Sequence, residues 1–346
     1  MKHQTTRYGE IPFYKIGTFG NTADAFISKK LFLEYKTKYS FPKKGDILIS
    51  ASGTIGRAVI YDGKPAYFQD SNIVWIDNDE TLVKNDFLFY AYSNVKWNTE
   101  HTTILRLYND NFRNTLIPLP PLNEQNAIAN ILSDLDRYLC ALDALILKKK
   151  GVKKSLSFEL LSQRKRLKGF NQAWQRVRLG DIANYLTSNL SVEQITQQGK
   201  IKVYDVNNFI GYTDTTFISD KPYISIVKDG SVGRVRILPP KTNILSTMGA
   251  LIANHRTTTE FLFYLLSNFD FKNFTSGSII PHIYFKDYKE KTIFLPPLNE
   301  QIAIANILSA LDNEITSLKN KKRQFENIKK ALNHDLMSAK IRVLEK

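Results

Sequence analysis

Residues 119–136 read LPPLNEQNAIANILSDLD, and residues 295–312 read LPPLNEQIAIANILSALD. The two stretches lie 176 residues apart and match at 16 of 18 positions; only Asn126/Ile302 and Asp134/Ala310 differ. Chance does not produce such a match, so an internal repeat organises the chain. At the same offset Leu156, Glu159, Leu160 and Ser162 face Leu332, Asp335, Leu336 and Ser338, which carries the repeat over residues 119–167 and 295–343.

Both copies hold a helical stripe. In the second, Ile304, Leu308, Leu311, Ile315 and Leu318 alternate steps of four and three, and Phe325, Leu332 and Leu336 extend the line. In the first, Ile128, Leu132, Leu135, Leu139, Leu142 and Ile146 keep the same rhythm. An average step of about 3.5 residues keeps one seam facing a partner helix. Pro120 and Pro121 block helix upstream, as do Pro296 and Pro297, so Asn123 and Asn299 are expected to cap the two starts. Gly169, after the basic run Arg164, Lys165, Arg166 and Lys168, is expected to close the first helix. Gly151 is expected to bend it, because glycine costs about 1 kcal/mol in a helix interior. A helix of about 45 residues is roughly 68 Å long and would expose its stripe in water. Packing the two helices on each other solves this; packing each on its own neighbouring domain is the other solution.

The regions before the helices differ in character. Residues 1–118 and 169–294 are rich in Tyr, Phe, Ile, Thr and Asn, with short β-like runs. The run ending Ile47-Leu48-Ile49-Ser50 leads into Gly53-Thr54-Ile55-Gly56-Arg57, and Ile224-Ser225-Ile226-Val227 leads into Gly230-Ser231-Val232-Gly233-Arg234. Paired glycines between β-branched runs read as a hairpin turn. Leu107, Tyr108 and Phe112 recur as Ile283, Tyr284 and Tyr288, and Gly9, Ile11 and Tyr14 recur as Gly199, Ile201 and Tyr204. The recurrence of Tyr108 as Tyr284 suggests core packing. The chain thus divides into a head at 1–118, a helix at 119–168, a second head at 169–294 and a second helix at 295–346. The helices are near copies and the heads have diverged, so one scaffold carries two different heads, which suggests two different ligands on one extended target.

Composition narrows the function. The chain has 346 residues, with Lys+Arg 48 against Asp+Glu 33, a net charge of +15. Such an excess attracts phosphate polyanions. Cys140 is the single cysteine, so no intramolecular disulfide forms. The start, MKHQTTRYGE, lacks the apolar core of a signal peptide, and no run of about 18 apolar residues exists. A cytoplasmic protein with no membrane partner is expected. His3, His101, His255, His282 and His334 are scattered, so no metal site is expected. Leu119-Pro120-Pro121-Leu122 has no amide or carboxylate with which to hold a flipped base, and the glycine turns do not fit a phosphate-binding loop.

The order head, helix, head, helix, with LPPLNEQ opening each helix, resembles the specificity subunit of Type I restriction-modification systems over essentially the whole chain. The resemblance implies an α+β fold: two target-recognition domains with mixed β-sheets, joined by two long helices in an antiparallel coiled coil. It implies that each domain reads one half of a split, asymmetric site on double-stranded DNA. The coiled coil would set the spacer and dock two methyltransferase subunits, with restriction subunits joining the full complex. The chain itself would be non-catalytic and bind no cofactor; S-adenosylmethionine, ATP and Mg would belong to the partners. A coiled-coil scaffold that reads no DNA, and a remnant of a fused restriction-methylation enzyme, are the rival readings. One departure stands out. Trp174 opens the second head 25 residues before Gly199, whereas eight residues precede Gly9, so the family's opening strand-and-helix segment is expected to be missing from the first head.

Readout needs Arg or Lys for guanine and Asn or Gln for adenine, while phosphates are held by Lys, Arg, Ser, Thr and backbone amides. Arg57 and Arg234, just past the paired turns with Thr54 and Ser231, are the first candidates. The alternative is a turn that merely closes a hairpin, with each Arg paired to an acid. The other candidates are Lys15, Gln69, Asn72, Thr103 and Arg106 in the first head, and Asn207, Lys228, Arg236, Ser278, His282 and Lys286 in the second. The runs Lys148–Lys154 and Lys319–Arg323 are either a solvated helix face or a contact for spacer phosphates or an acidic partner.

Overall fold

The computed structural model describes residues 4–68, 72–97 and 106–343. The chain forms two compact units. Unit one comprises Met1–Asp143 with Asn320–Lys346, and unit two comprises Ala144–Lys319. Two 40-residue helices, a central one at Leu122–Leu161 and a C-terminal one at Leu298–Met337, each contribute one half to each unit.

Within each unit the two helices run side by side in opposite directions. In unit one Asp136 meets Lys329 at 2.5 Å, Tyr138 packs on Phe325, and Asp143 meets Lys322 at 2.7 Å, so the numbering falls on one helix as it rises on the other. In unit two Lys149 meets Glu314 at 2.7 Å and Lys153 meets Asp312 at 2.5 Å, with the same sense. The expected antiparallel pair is therefore present in both units. Lys149, Lys153 and Lys322 of the basic runs are committed to it, while Lys148, Lys150, Lys154, Lys319 and Arg323 are exposed.

The seam residues Ile128, Leu132, Leu142, Ile304, Leu308 and Ile315 are buried, and Leu135, Leu139, Leu311 and Leu318 are half-buried. The helix ends are more than a two-helix seam. Ile128 and Leu132 share a cluster with Leu336 and Met337 of the opposite helix and with Phe87, Tyr90 and Ala91 of their own head. Ile304 and Leu308 share one with Leu160 and with Phe261, Leu262 and Tyr264. Both arrangements weighed from sequence thus hold together: each stripe packs on its partner helix and on its own head.

Three local expectations are corrected. The helix begins at Leu122, so Asn123 lies inside its first turn; its Oδ1 accepts the Glu124 amide at 2.9 Å, and Asn299 does the same for Glu300. The central helix ends at Leu161 rather than near Gly169, because Gln163 turns left-handed at φ 61°; Ala339 does so at φ 55° after the other helix. Helical backbone runs through Gly151 without interruption.

The heads share a frame of mixed sheets. Unit one pairs Ile11–Tyr14 antiparallel with Ala25–Ile27 and parallel with Tyr67–Phe68. Unit two pairs Ile201–Tyr204 antiparallel with Phe209–Thr213 and parallel with Thr242–Ile244. The second sheet of unit one has the order Ala58–Ile60, Ile47–Ser50, Ile73–Trp75. Its counterpart has the order Val235–Leu238, Tyr223–Val227, Met248–Ala253, and adds a fourth strand, Ala183–Thr187. The central strand Tyr223–Val227 is buried at all five positions, Ser225 included, because both faces of its sheet are covered. A short helix backs each of these sheets, Asn85–Tyr92 in unit one and Thr259–Ser267 in unit two.

Candidate nucleic-acid interface

The two glycine turns close matching hairpins. In unit one Ser50 donates its amide to the Arg57 carbonyl at 2.9 Å, and Gly56 donates to Ser50 at 3.0 Å. In unit two Val227 donates to Arg234 at 2.9 Å, and Gly233 to Val227 at 2.9 Å. Glycine is required at Gly56 and Gly233 for two reasons. Their φ values are 80° and 78°, and an added Cβ would come within 2.3 Å of the Trp97 ring or 2.6 Å of the Phe271 ring. An aromatic side chain thus props each turn from below.

At the unit-one turn gather five of the candidate positions. Arg57 donates through Nη1 to the Phe19 carbonyl at 3.2 Å, which joins it to the turn that starts at Lys15. Lys15 itself is paired with Asp24 at 2.8 Å. Arg106 bridges backbone to Ser52 and donates to Asn72 Oδ1 at 3.2 Å. The Asn72 carbonyl accepts from Ala51 at 2.8 Å. Thr54 is exposed at the tip. Gln69 and Thr103 lie outside the described residues.

Unit two gathers its own set on the same frame. Arg234 donates to Asn207 Oδ1 at 3.0 Å, and Arg236 donates to the Asn207 carbonyl at 2.9 Å while its guanidinium lies 5.1 Å over Tyr204. Asp229 forms a backbone bridge with His282, and the His282 ring nitrogen Nδ1 lies 2.7 Å from Asp229 Oδ1. Lys228 approaches the same carboxylate at 3.9 Å. Gly230 donates to Pro281 at 2.9 Å and Lys228 accepts from Ile283 at 2.9 Å, so the hairpin Thr275–Ile283 is stitched to the turn. Ser231 and Ser278 are exposed on these two loops. Lys286 packs over Tyr284, 5.5 Å from its ring centroid, and makes no contact with the Arg234 group among the described residues. Burial pushes the Tyr185 phenol up, and the nearby Asp229 charge adds to this.

Arg57 and Arg234 pair with carbonyl and amide oxygens, and with no carboxylate among the described residues, so the acid-paired alternative is not the arrangement found. The bridges Ser52–Arg106 and Asp229–His282 fall at equivalent places in the two heads. One backbone position therefore carries Ser, Arg and Asn groups in one unit and Asp and His groups in the other. Such an exchange of donor and acceptor sets on one frame gives the two surfaces different hydrogen-bonding patterns.

Sequence reasoning missed several residues on these surfaces. Asp229 was not singled out, although its neighbour Lys228 was. Tyr108 and Tyr284, expected in the core, are 42% and 49% exposed, each two residues past a candidate, Arg106 and His282. Ile279, at 92% exposure on the hairpin tip, has no core role either. The recurrence of a tyrosine next to a polar candidate in both heads was the available signal.

Among the described residues no three His, Cys, Asp or Glu side chains converge as a metal site, and no helix is long and apolar enough to cross a membrane. The family model for the Type I restriction modification DNA specificity domain matches residues 1–149 and 171–327. A putative type I restriction enzyme specificity subunit from Haemophilus influenzae is 63% identical over 137 residues, covering 39% of this chain and 36% of that relative. The putative type I restriction enzyme MjaX specificity subunit from Methanocaldococcus jannaschii is 29% identical over 337 residues, covering 86% of this chain and 79% of the relative. Among solved structures, the S subunit of a Type I restriction-modification system from M. genitalium superposes with a TM-score of 0.61 at 20% identity, over 97% of this chain and 91% of that one.

Proposed function

Because the chain belongs to the Type I restriction-modification DNA specificity family, we propose that it reads a two-part DNA sequence, one half with each unit, and presents that DNA to catalytic partners. The observation that carries this reading is the pair of equivalent turns. Each holds an exposed arginine on an aromatic-propped glycine corner, and each is surrounded by a different donor and acceptor set. Phosphate contacts would fix register through Thr54, Ser231 and the turn amides. Base edges would be read by Arg57, Asn72 and Arg106 on one half-site, and by Arg234, Arg236, Asn207 and His282 on the other. Lys15, Lys228, Ser278 and Lys286 stand at the margins of these surfaces, where backbone contacts fit.

The helix pair sets the unread spacer and supplies the docking surface for two methyltransferase subunits, with restriction subunits completing the assembly. The chain is a non-catalytic subunit. Leu119-Pro120-Pro121-Leu122 serves as a helix start, with the Pro120 carbonyl accepting from Gln125 at 2.8 Å, and does not hold a base. S-adenosylmethionine, ATP and Mg belong to the partner subunits in this reading.

The test is methylome sequencing of a strain that expresses the chain with its methyltransferase, compared with a strain lacking the chain. A new adenine-methylated motif with two separated halves is expected. Absence of any bipartite motif, with both proteins expressed, contradicts the proposal.

A further inference from the structure

The two heads place different hydrogen-bonding groups at one backbone position. In unit one the bridge Ser52–Arg106 carries a guanidinium, which donates and never accepts. Arg106 spends one of its hydrogens on Asn72 Oδ1 at 3.2 Å. In unit two the bridge Asp229–His282 carries an imidazole. Its two nitrogens exchange roles, and which one holds the hydrogen is set by the bond that the other makes.

The His282 ring is held on two edges. On one, Nδ1 lies 2.7 Å from Asp229 Oδ1. Backbone bonds lock the pair in place, with Gly230 donating to Pro281 and Ile283 to Lys228, both at 2.9 Å. On the other edge lies Gly277. A Cβ there would come within 3.0 Å of the His282 ring carbon Cδ2 and 2.3 Å of the Ile280 carbonyl oxygen, and its φ is 90°, so the close approach needs glycine. Lys228 Nζ approaches the second carboxylate oxygen, Asp229 Oδ2, at 3.9 Å and leaves Oδ1 to the ring. The remaining polar atom, Nε2, has no hydrogen-bond partner among the described residues, on a side chain that is 35% exposed.

A carboxylate accepts and does not donate, so in the neutral ring the hydrogen sits on Nδ1 and the Nε2 lone pair is open. We infer that Asp229 is a positioning residue that fixes His282 as an acceptor, and that unit two uses Nε2 to read the exocyclic amino group of an adenine or a cytosine. In the major groove those amino groups are the donors, whereas N7, O6 and O4 all accept. A guanidinium such as that of Arg106 suits the accepting atoms. The two heads therefore read with opposite polarity at one bridge. The assignment rests on the reading of unit two as a half-site surface.

Two measurements test it. Nitrogen NMR of the full chain, isotopically labelled at histidine and held at about pH 8, above the ordinary histidine range, reads the tautomer without DNA. The His282 signals are those lost in His282→Ala. The hydrogen is expected on Nδ1, and Asp229→Ala should move it to Nε2. A hydrogen on Nε2 in the wild type, a doubly protonated ring, or a tautomer indifferent to Asp229→Ala overturns the inference. Competition binding by the chain with its methyltransferase then finds the base pair at which His282→Ala loses preference. There, purine in place of adenine, or 2-pyrimidinone in place of cytosine, removes the amino group. One of the two should weaken wild-type binding about fivefold and leave His282→Ala unaffected, and the one that responds identifies the base. A 7-deaza purine at the same pair should change nothing. No loss of preference in His282→Ala, indifference to both amino-free bases, or a loss with the 7-deaza purine overturns the inference alone. Absence of any sequence preference in the wild type overturns the half-site reading, and the inference with it.

Discussion

Lys153 of the central helix reaches Asp312 of the C-terminal helix at 2.5 Å, and Tyr264 of the second head donates its hydroxyl to the other oxygen of that carboxylate at 2.9 Å. Unit one repeats the arrangement with the helices exchanged: Lys329 meets Asp136 at 2.5 Å, and Tyr90 donates to Asp136 at 2.8 Å. In each case the aspartate ties its own head and the opposite helix to one point. The repeat in the sequence is thus a repeat of three-way joints.

Asp312→Ala is expected to destabilise unit two by about 1–3 kcal/mol, because a charge-assisted bond is lost and a partly buried hydroxyl loses its acceptor. Chemical denaturation followed by hydrogen exchange on unit-two peptides measures this. A loss spread evenly over unit one would contradict the local assignment.

Gly151→Ala is expected to stabilise the chain by about 1 kcal/mol. The helix is continuous there, and an added Cβ meets nothing within 4 Å. A raised denaturation midpoint checks it; a lowered one would mean that the glycine is needed for a bend.

Alkali should unfold the protein. Burial raises the phenols of Tyr90, Tyr92, Tyr264 and Tyr288 well above their ordinary range, and pushes Tyr223 up to about 12. A folded-state pKa above the unfolded one stabilises below the unfolded value, and that stability falls as pH rises past about 10. Melting temperature should drop there, and tyrosinate absorbance should appear together with loss of structure. Tyrosinate forming in the intact fold would contradict the burial argument.

Arg234→Ala is expected to cost about 1–3 kcal/mol of discrimination at one half-site only, and Arg57→Ala at the other. Competition binding against a library of single-base variants separates the cases. A uniform loss over all sequences would reassign the arginine to a phosphate.

Much of this architecture was legible in residues 119–136 and 295–312. Their identity marks the repeat, and their apolar stripes mark helices that pack on each other. What the motif does locally was not legible. Gln125 and Gln301 are buried because each ties a helix start to its head: Gln125 donates to Leu82 and accepts from the Lys84 amide, and Gln301 donates to Arg256 and accepts from the Thr258 amide. Arg166 read as a helix-end charge, whereas it lies beyond the helix and pairs with buried Glu300, 134 residues away in sequence. Spacing along one helix carries no signal for a partner that distant. The reading surfaces were the least legible part. Arg57 and Arg234 were found through the glycine turns, but the Asp229–His282 bridge depends on a pairing between loops that no local pattern announces.

The paired helices are expected to fix the distance between the two half-sites. Inserting one matched heptad into both helices, after Asp143 and after Lys319, lengthens the pair by about 10 Å at roughly 1.5 Å per residue. Methylome sequencing of a strain carrying this variant reads the result directly. Both half-sites should stay unchanged while the spacer grows by about three base pairs, at about 3.4 Å each. Methylation of the original motif, with its spacer unaltered, would contradict the account.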